Sequence, residues 1–303
     1  MFHVITILGP TASGKTALAC RLAALLDGEI ISADSRQVYR GMTIGTGKDL
    51  DDFTVEEKKI PYHLIDIVDP GYEFNVFEFQ QRVAEVLPLI ESNNHIPIVC
   101  GGSGMYLDAI LRRYELVRVP ENKMLRQLLS DYPQEKLVRK LKSYGPLHNT
   151  TDVTSNERLI RAIEIAEYQL SHQGNNFEMP LISSVNFGIR FERDEIKRRI
   201  TQRLQERLEN GMIQEVESLL GGGLTPDQLK FYGLEYRFVT QYLEQELSYD
   251  SMINLLNTAI HQFAKRQMTW FRRMEKSGVR IHWIDGKLEM ESKLSAIISM
   301  LPK

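Results

Sequence analysis

Near its N-terminus the chain reads Gly9-Pro10-Thr11-Ala12-Ser13-Gly14-Lys15-Thr16. This stretch matches the phosphate-binding loop pattern G-x-x-x-x-G-K-[ST] at every defined position. Residues 4–8 before it are apolar and β-branched, as in a buried strand, and residues 17–22 continue as a helix. Such a loop aims backbone N–H groups at one anion, while Lys15 neutralises phosphate oxygens and the Thr16 hydroxyl holds Mg²⁺. The stretch therefore predicts a polyphosphate or diphosphate site formed by residues 9–16.

Composition is that of an ordinary globular protein. The chain has 303 residues, of which 43% are hydrophobic and 25% charged, and a formal net charge of -3. This charge argues against a uniformly basic nucleic-acid binder but permits a local positive face. The two cysteines, Cys20 and Cys100, lack the spacing of a zinc site or disulfide framework, so we expect both to be buried and reduced.

Targeting signals are not evident in the sequence. The first predicted strand begins by residue 3, which leaves no room for a signal peptide, and no apolar run is long enough to span a bilayer. We therefore expect a cytoplasmic protein. A monomer is the default expectation, because no apolar heptad pattern suggests otherwise.

Strand and helix signals alternate over the first hundred residues. Runs typical of buried strands occur near 3–8 and at 29–34 and 96–100, and a short extended stretch lies at 62–67. Helical patterns occur near 15–27 and from Val76, where Asn75 and Glu78 have the spacing of a capping box. This alternation predicts an α/β fold with a P-loop-type parallel sheet flanked by helices.

A helical insertion is predicted in the middle of the chain. After about residue 118 the strand signals stop, and 121–143 and 156–171 have the pattern of amphipathic helices joined by a polar linker. A strand at 182–191, helices at 194–220 and 249–273, and a last strand at 279–284 follow, with glycines at 221–223 ending the first of these helices. We expect the last strand to rejoin the sheet. The predicted domains are a P-loop core in two parts, 1–117 and 179–303, and an inserted all-helical subdomain at 118–178.

One carboxylate is predicted at the phosphate-binding edge of the sheet. Asp34 ends the strand 29–34, and parallel strands deliver their C-terminal residues to the edge where the loop lies. A turn or cap role is an equally good interpretation of this residue alone. The strand 96–100 runs into Gly101-Gly102-Ser103-Gly104, where a P-loop NTPase usually has an acid for Mg²⁺, and Asp66 is a weaker substitute.

Further motifs follow the loop along the chain. They include ISADSRQVYRGM at 31–42, IGT at 44–46, HLID at 63–66, GGSGMY at 101–106, NERLIRAIE at 156–164, RITQR at 199–203, EV at 215–216 and AKRQMTWFR at 264–272. Together with 9–16 they resemble, in order, the tRNA dimethylallyltransferases of the IPP transferase family. The resemblance covers nearly the whole chain, and the sequence shows no zinc-finger pattern after the last motif, as in the bacterial type.

The resemblance implies a reaction and its residues. It implies transfer of a dimethylallyl group from dimethylallyl diphosphate to the exocyclic N6 of adenosine 37, next to a tRNA anticodon, with Mg²⁺ as cofactor. Asp34 would be the base, and Thr16 and Arg199 would act on the departing diphosphate. The tRNA anticodon stem-loop would contact Asp34, Ser35, Arg36, Gln37, Ser103, Arg126, Arg158 and Arg161. Neither a membrane nor an obligatory protein partner is implied.

Some positions depart from the family pattern or admit other interpretations. Ser103 replaces a threonine, and 47–49 and 232–235 differ from the usual motifs. Arg199, Arg203 and Arg207 have the spacing of one helix face, which by itself indicates only solvated charges. The residues 257–280 combine basic and aromatic side chains, which suit phosphate contact and base stacking, although the aromatic ones fit the core side of an amphipathic helix equally well. From the residues alone, a P-loop kinase or NTPase that uses ATP and a tRNA-binding module without catalysis remain alternatives.

Overall fold

The computed structural model describes residues 1–146, 153, 155–172 and 177–302. Two compact units form within the chain. The first, here the core unit, comprises Met1–Tyr114 and Met179–Lys303, and the second, here the helical unit, comprises Glu115–Glu178. The polar linker predicted after residue 143 lies largely outside the described residues.

The core unit is built on one parallel sheet. The strands of the chain are β1 (Phe2–Leu8), β2 (Gly28–Ser32), β3 (Thr54–Val55), β4 (Lys58–Lys59), β5 (Tyr62–His63), β6 (Ile96–Gly101), β7 (Ile182–Arg190) and β8 (Ile281–Asp285). Six of them form the sheet in the order β5-β2-β6-β1-β7-β8, and every neighbouring pair is parallel. β3 and β4 form a separate antiparallel hairpin. The predicted fold class is confirmed, and β8 rejoins the sheet beside β7 as expected.

Helices surround this sheet and make up the helical unit. Those of the core unit are α1 (Lys15–Leu26), α2 (Val76–Ser92), α3 (Gly104–Leu111), α7 (Arg193–Glu209), α8 (Met212–Gly221), α9 (Pro226–Phe231), α10 (Leu234–Leu243), α11 (Tyr249–Lys276) and α12 (Met290–Met300). Those of the helical unit are α4 (Lys123–Ser130), α5 (Gln134–Ser143) and α6 (Asn156–Ser171). A short 3-10 helix covers Leu50–Phe53. The capping box predicted at Asn75 is present, and α8 ends at Gly221 as the glycine triplet predicts.

Three predicted elements were too long. The helix predicted at 121–143 is interrupted before α5, where Pro133 is the N-cap with extended backbone. The helix predicted at 194–220 breaks at Gly211, whose φ of 95° is left-handed and leaves the helical path. The strand predicted at 62–67 ends after two residues, because Leu64 and Asp66 have φ values of 63° and 53° that no strand accommodates.

Hydrophobic clusters support the core unit, and two of them lie within the residues that the structure describes. One packs the sheet against α1 and α12 and includes the buried residues Ile7, Leu22 and Ile297. The other joins helices α7 to α11 and includes Tyr236 and Leu256 among its buried members. Side chains on α7 and α11 therefore project from a packed support. Within the ranges that the structure describes, no helix is both long and apolar enough to cross a bilayer.

A buried carboxylate joins strands β2 and β5 to the residues that precede β6. Glu29 in β2 is 3% exposed, and its oxygens form hydrogen bonds of 2.6 Å with His63, 2.6 Å with His95 and 2.9 Å with Asn93. Burial alone would raise the pKa of Glu29, but these hydrogen bonds outweigh it and hold that pKa below its usual value. The group therefore stabilises the fold as a carboxylate.

Candidate active site

The phosphate-binding loop, the end of β2 and helix α7 line one cavity in the core unit. Its volume is about 790 Å³. Most of the loop between Thr11 and Thr16 lines it, as do residues 34–37, Ser103 and Arg199. The structure thus brings together residues from four distant parts of the sequence. Every site residue predicted in the core unit lies in this wall or directly behind it.

The loop adopts the backbone turns that its sequence requires. Ala12 and Gly14 have positive φ values of 60° and 75°, so the chain curls back before α1 begins at Lys15. The free N–H groups and the positive dipole end of α1 therefore face the space that the loop encloses. Burial lowers the pKa of Lys15, and the nearby Asp34 partly offsets this effect. An anion in the loop would favour the charged lysine.

The remaining loop residues lie behind this surface. Gly9, Pro10 and Ser13 are buried and do not line the cavity. A Cβ at Gly9 would stand 2.7 Å from Ser13 Oγ, so only glycine fits there without a shift. These residues hold the shape of the loop, while Thr11, Ala12, Gly14, Lys15 and Thr16 present it to the cavity.

Asp34 follows β2 at its carboxyl end and is half-buried in the cavity wall. Its Oδ1 accepts a hydrogen bond of 3.0 Å from the Arg36 backbone N–H. The two interpretations of Asp34 are therefore compatible, because this turn fixes the carboxylate while leaving it further acceptor capacity. The Arg36 guanidinium lies over the Phe231 ring, 5.2 Å from its centroid, at the same wall.

Side-chain hydrogen bonds connect this segment to its surroundings. The Ser35 N–H donates to Ser103 Oγ at 3.0 Å, so the hydroxyl retained at position 103 has a defined partner. Gln37 accepts from Ser32 Oγ at 2.9 Å and donates to Gly47 O at 3.0 Å. The segment 34–37 is consequently held at both ends.

Arg199 reaches the phosphate-binding loop from α7. Its Nε donates to Ala12 O at 2.9 Å, and its guanidinium lies over the Phe191 ring at 4.7 Å. Its Nη2 stands 3.9 Å from where a Cβ at Gly14 would be. The terminal nitrogens therefore lie at the loop, and this arginine is more than part of a solvated helix face.

Two further arginines of α7 line the cavity. Arg203 pairs with Asp49 at 2.5 Å, and Arg207 pairs with Glu235 at 3.2 Å. Both guanidinium groups pack on Gly47, where a Cβ would come within 2.7 Å of Arg203 and 1.8 Å of Arg207. The departure from the family pattern at residue 47 thus makes room for this arrangement.

Asp66, the weaker candidate for a magnesium ligand, has another role. Its Oδ1 lies 2.5 Å from Nζ of the buried Lys48, and it does not line the cavity. Lys48 also donates to Tyr39 O. This pair fixes the segment between β2 and β5 to the residues that follow β5.

Sequence reasoning missed two residues that organise the site. Glu215 accepts backbone hydrogen bonds from Thr43 at 2.8 Å, Ile44 at 2.7 Å and Gly45 at 3.0 Å, and so shapes a loop that lines the cavity. Gln267 contacts the phosphate-binding loop from α11. Both lie inside motifs of the family resemblance, EV at 215–216 and AKRQMTWFR at 264–272, so the sequence carries a signal for these positions but does not indicate a role.

The predicted arginines of the helical unit form a cluster around Glu164. Arg126 pairs with this buried carboxylate at 3.0 Å, and Arg161 pairs with it and donates to Val119 O at 2.9 Å. Burial alone would raise the pKa of Glu164, but hydrogen bonds from both arginines help to hold it below its usual value. Arg158 is exposed on α6. Two of the three predicted tRNA contacts therefore also hold their own unit together.

Comparisons with known proteins agree with the sequence motifs. The family model described as IPP transferase matches residues 37–274, and the model described as isopentenyl transferase matches residues 2–66. A tRNA dimethylallyltransferase 2 from Bacteroides fragilis is 51% identical over 296 residues, which cover 98% of this chain and 97% of the relative. A tRNA dimethylallyltransferase 1 from Geotalea uraniireducens is 55% identical over 285 residues, 94% of this chain and 93% of the relative.

Solved structures show the same fold. The crystal structure of the full-length tRNA isopentenylpyrophosphate transferase from Bacillus halodurans matches with a TM-score of 0.71 at 29% identity, covering 99% of this chain and 95% of that chain. A eukaryotic dimethylallyltransferase acting on tRNA shares the fold with a TM-score of 0.75 at 23% identity, covering 100% of this chain and 81% of its own. The family models and the close relatives together show that the chain belongs to the tRNA dimethylallyltransferase family.

Proposed function

We propose that this protein transfers the dimethylallyl group of dimethylallyl diphosphate to N6 of adenosine 37 in tRNA. The observation that carries the proposal is the convergence of the phosphate-binding loop, Asp34 and Arg199 on one cavity. An anion cradle, a carboxylate base and a cation are the groups that such a transfer needs. The family membership of the chain supports the same reaction.

The diphosphate of the donor would occupy the loop. Its oxygens would accept hydrogen bonds from loop N–H groups and from Lys15. Because Arg199 Nε is engaged with Ala12 O, its terminal N–H groups remain for the diphosphate. These cations stabilise the charge that grows as the carbon–oxygen bond breaks.

Magnesium fits the oxygen donors at this site. Thr16 in the first turn of α1 lines the cavity together with Asp34, and Mg²⁺ typically takes such side-chain oxygens along with substrate phosphates and water. Thr16 would hold the ion, which when bound would neutralise charge on the diphosphate.

Asp34 would act as the base. As N6 of the adenine bonds to C1 of the dimethylallyl group, the C1–O bond breaks and diphosphate leaves with the electron pair. The N6 proton passes to the Asp34 carboxylate. Its turn with Arg36 holds the carboxylate in place, and a positioned base contributes about 10²- to 10⁴-fold in rate.

The RNA would approach with its target base extruded from the stack. We propose that Asp34–Gln37 and Ser103 contact the anticodon stem-loop in the core unit. In the helical unit, Arg126, Arg158 and Arg161 would contact its backbone. A monomer that acts in the cytoplasm, without a membrane or an obligatory protein partner, fits this substrate.

The test is incubation with labelled dimethylallyl diphosphate and unmodified tRNA, with and without Mg²⁺. Label should move into tRNA, and nucleoside analysis should find it on N6 of adenosine 37. Substitution of guanosine at that position should abolish incorporation. ATP hydrolysis without label transfer would refute the proposal and favour a kinase or NTPase.

A further inference from the structure

We propose that Gln267 is a positioning residue that connects the diphosphate-binding loop to the segment carrying Asp34. The connection makes the geometry of the base depend on the geometry of the donor site. This inference rests on the proposed function for its effect on rate. Its structural part can be measured without any turnover.

Gln267 joins two segments through one amide. The residue lies on α11 and is 7% exposed. Its Oε1 accepts a hydrogen bond of 2.9 Å from the Thr11 N–H, and its Nε2 donates to Gly102 O at 2.9 Å. An amide accepts and donates from two atoms at a fixed separation, so it holds the two backbone groups in a defined relation. The Thr11 N–H is thereby used within the protein.

The residue after Gly102 forms hydrogen bonds with the residues on either side of Asp34. The neighbouring Ser103 donates its backbone N–H to Ala33 O at 3.2 Å and accepts the Ser35 N–H on its Oγ at 3.0 Å. Hydrogen bonds and the peptide bond between Gly102 and Ser103 therefore connect the loop to both neighbours of the proposed base.

Close packing leaves this connection little freedom. A Cβ at Gly102 would lie 2.4 Å from Gln267 Nε2 and 3.1 Å from Gly9 O, and a Cβ at Gly101 would lie 2.2 Å from Ala33 O. Glycine at both positions lets the amide and the backbone approach directly. A substitution at Gln267 should thus change the position of the loop relative to the Asp34 segment. It should have less effect on the internal conformation of either segment.

The test compares Gln267→Met with a matched control, Gln80→Met. Methionine has a similar length and forms neither hydrogen bond. Gln80 is fully buried and donates to Ala109 O at 2.7 Å and Tyr114 O at 3.1 Å, away from the cavity. Both variants lose a buried amide with two backbone partners, so the control accounts for general destabilisation.

The first readout is hydrogen exchange with inorganic diphosphate as the ligand. In the unsubstituted protein and in Gln80→Met, diphosphate should slow exchange in residues 9–16 and also in 101–106. In Gln267→Met the protection should remain in 9–16 and disappear from 101–106. Absence of protection at 101–106 in the unsubstituted protein, or its persistence in Gln267→Met, would overturn the connection.

The second readout is the single-turnover rate at saturating donor and tRNA. We expect Gln267→Met to be slower by about 10- to 100-fold, as for a displaced catalytic geometry, with diphosphate affinity within about three-fold of the parent. Gln80→Met should keep its rate. An equal loss in both variants, or a loss confined to affinity, would reduce Gln267 to a structural role. If the unsubstituted protein transferred no label yet showed the transmitted protection, the proposed function would fail while the connection stood.

Discussion

Replacement of Arg199 by lysine tests the proposed role of α7 in the chemical step. Lysine keeps the positive charge but cannot reproduce the Nε bond to Ala12 O at 2.9 Å or the planar contact with Phe191 at 4.7 Å. These two contacts hold the guanidinium at the loop, where its terminal N–H groups would bind the diphosphate, and a hydrogen bond involving a charged group contributes about 1.5–3 kcal/mol. Because the retained charge recovers part of this, we expect a net loss of about 1–2 kcal/mol in the transition state, or roughly 5- to 30-fold in rate.

The loss should fall on the rate at saturating substrates. Charge accumulates on the diphosphate as its bond to carbon breaks, so a cation at the loop matters most in the transition state. Arg198→Lys is the matched control, because Arg198 is adjacent on α7, has a 67% exposed side chain and pairs with Glu195 at 2.8 Å. It does not line the cavity.

The assay is single-turnover transfer of labelled donor, paired with a salt titration of tRNA binding for both variants. The control should match the parent in both measurements. A rate for Arg199→Lys within about three-fold of the parent would contradict a transition-state contact of the expected size. A change confined to the salt dependence would instead assign Arg199 to the RNA.

Three further outcomes are expected. Asp34→Asn keeps a side-chain acceptor for its turn but no base, so single-turnover transfer should fall by about 10²- to 10⁴-fold while filter binding of tRNA stays near the parent value. Arg158→Ala should lower the slope of log tRNA affinity against log salt by about one. Arg161→Ala should lower this slope too, and calorimetry should show a lower unfolding midpoint than for Arg158→Ala, because Glu164 loses a partner. Equal unfolding midpoints for the two variants would contradict the role of this pair. Because the pKa of Glu29 is lower in the folded protein than its unfolded value of 4.5, the carboxylate stabilises the fold above pH 4.5. This stability is lost as the pH falls through the folded-state pKa. Glu29→Gln should therefore be less stable than the parent at pH 7 and should lose less stability on acidification. An unchanged pH profile of the unfolding midpoint would refute the assignment.

Local pattern was sufficient for β1, β2 and β6 because each of these strands is short, mostly apolar and bounded by turns. The parallel order then followed from the alternation with helices, and β8 beside β7 agrees with it. Pattern was insufficient where one residue interrupts a continuing periodicity. Pro133 and Gly211 each divide an apolar pattern that reads as one helix, and the short helices α9 and α10 lie between turns that mask their periodicity.

Some residues of the candidate site could likewise be predicted from local pattern, and others could not. Asp34 could be assigned to the edge of the phosphate-binding loop because parallel strands end together. The contact of Arg199 with Ala12 depends on how α7 packs across the core unit, which helical spacing does not reveal. The same limit applies to Arg126 and Arg161, whose common partner Glu164 becomes apparent only when α4 and α6 pack together.

The end of β6 carries a glycine-rich turn in place of an acid, and this turn helps to shape the site. A P-loop NTPase usually places an acid there to help hold its metal, and this chain has Gly101-Gly102-Ser103-Gly104. The glycines are sites of close approach, since a Cβ at Gly102 would lie 2.4 Å from the Gln267 amide and one at Gly104 would lie 2.4 Å from the Trp270 ring. Helix α11 thus packs directly on this turn, and the serine between the glycines bonds to the segment of Asp34. The turn at the end of β6 therefore ties the segment of Asp34, the proposed base, to the phosphate-binding loop through Gln267. An acid introduced at Gly102 would therefore displace Gln267, and it would not provide a metal ligand in an otherwise unchanged site.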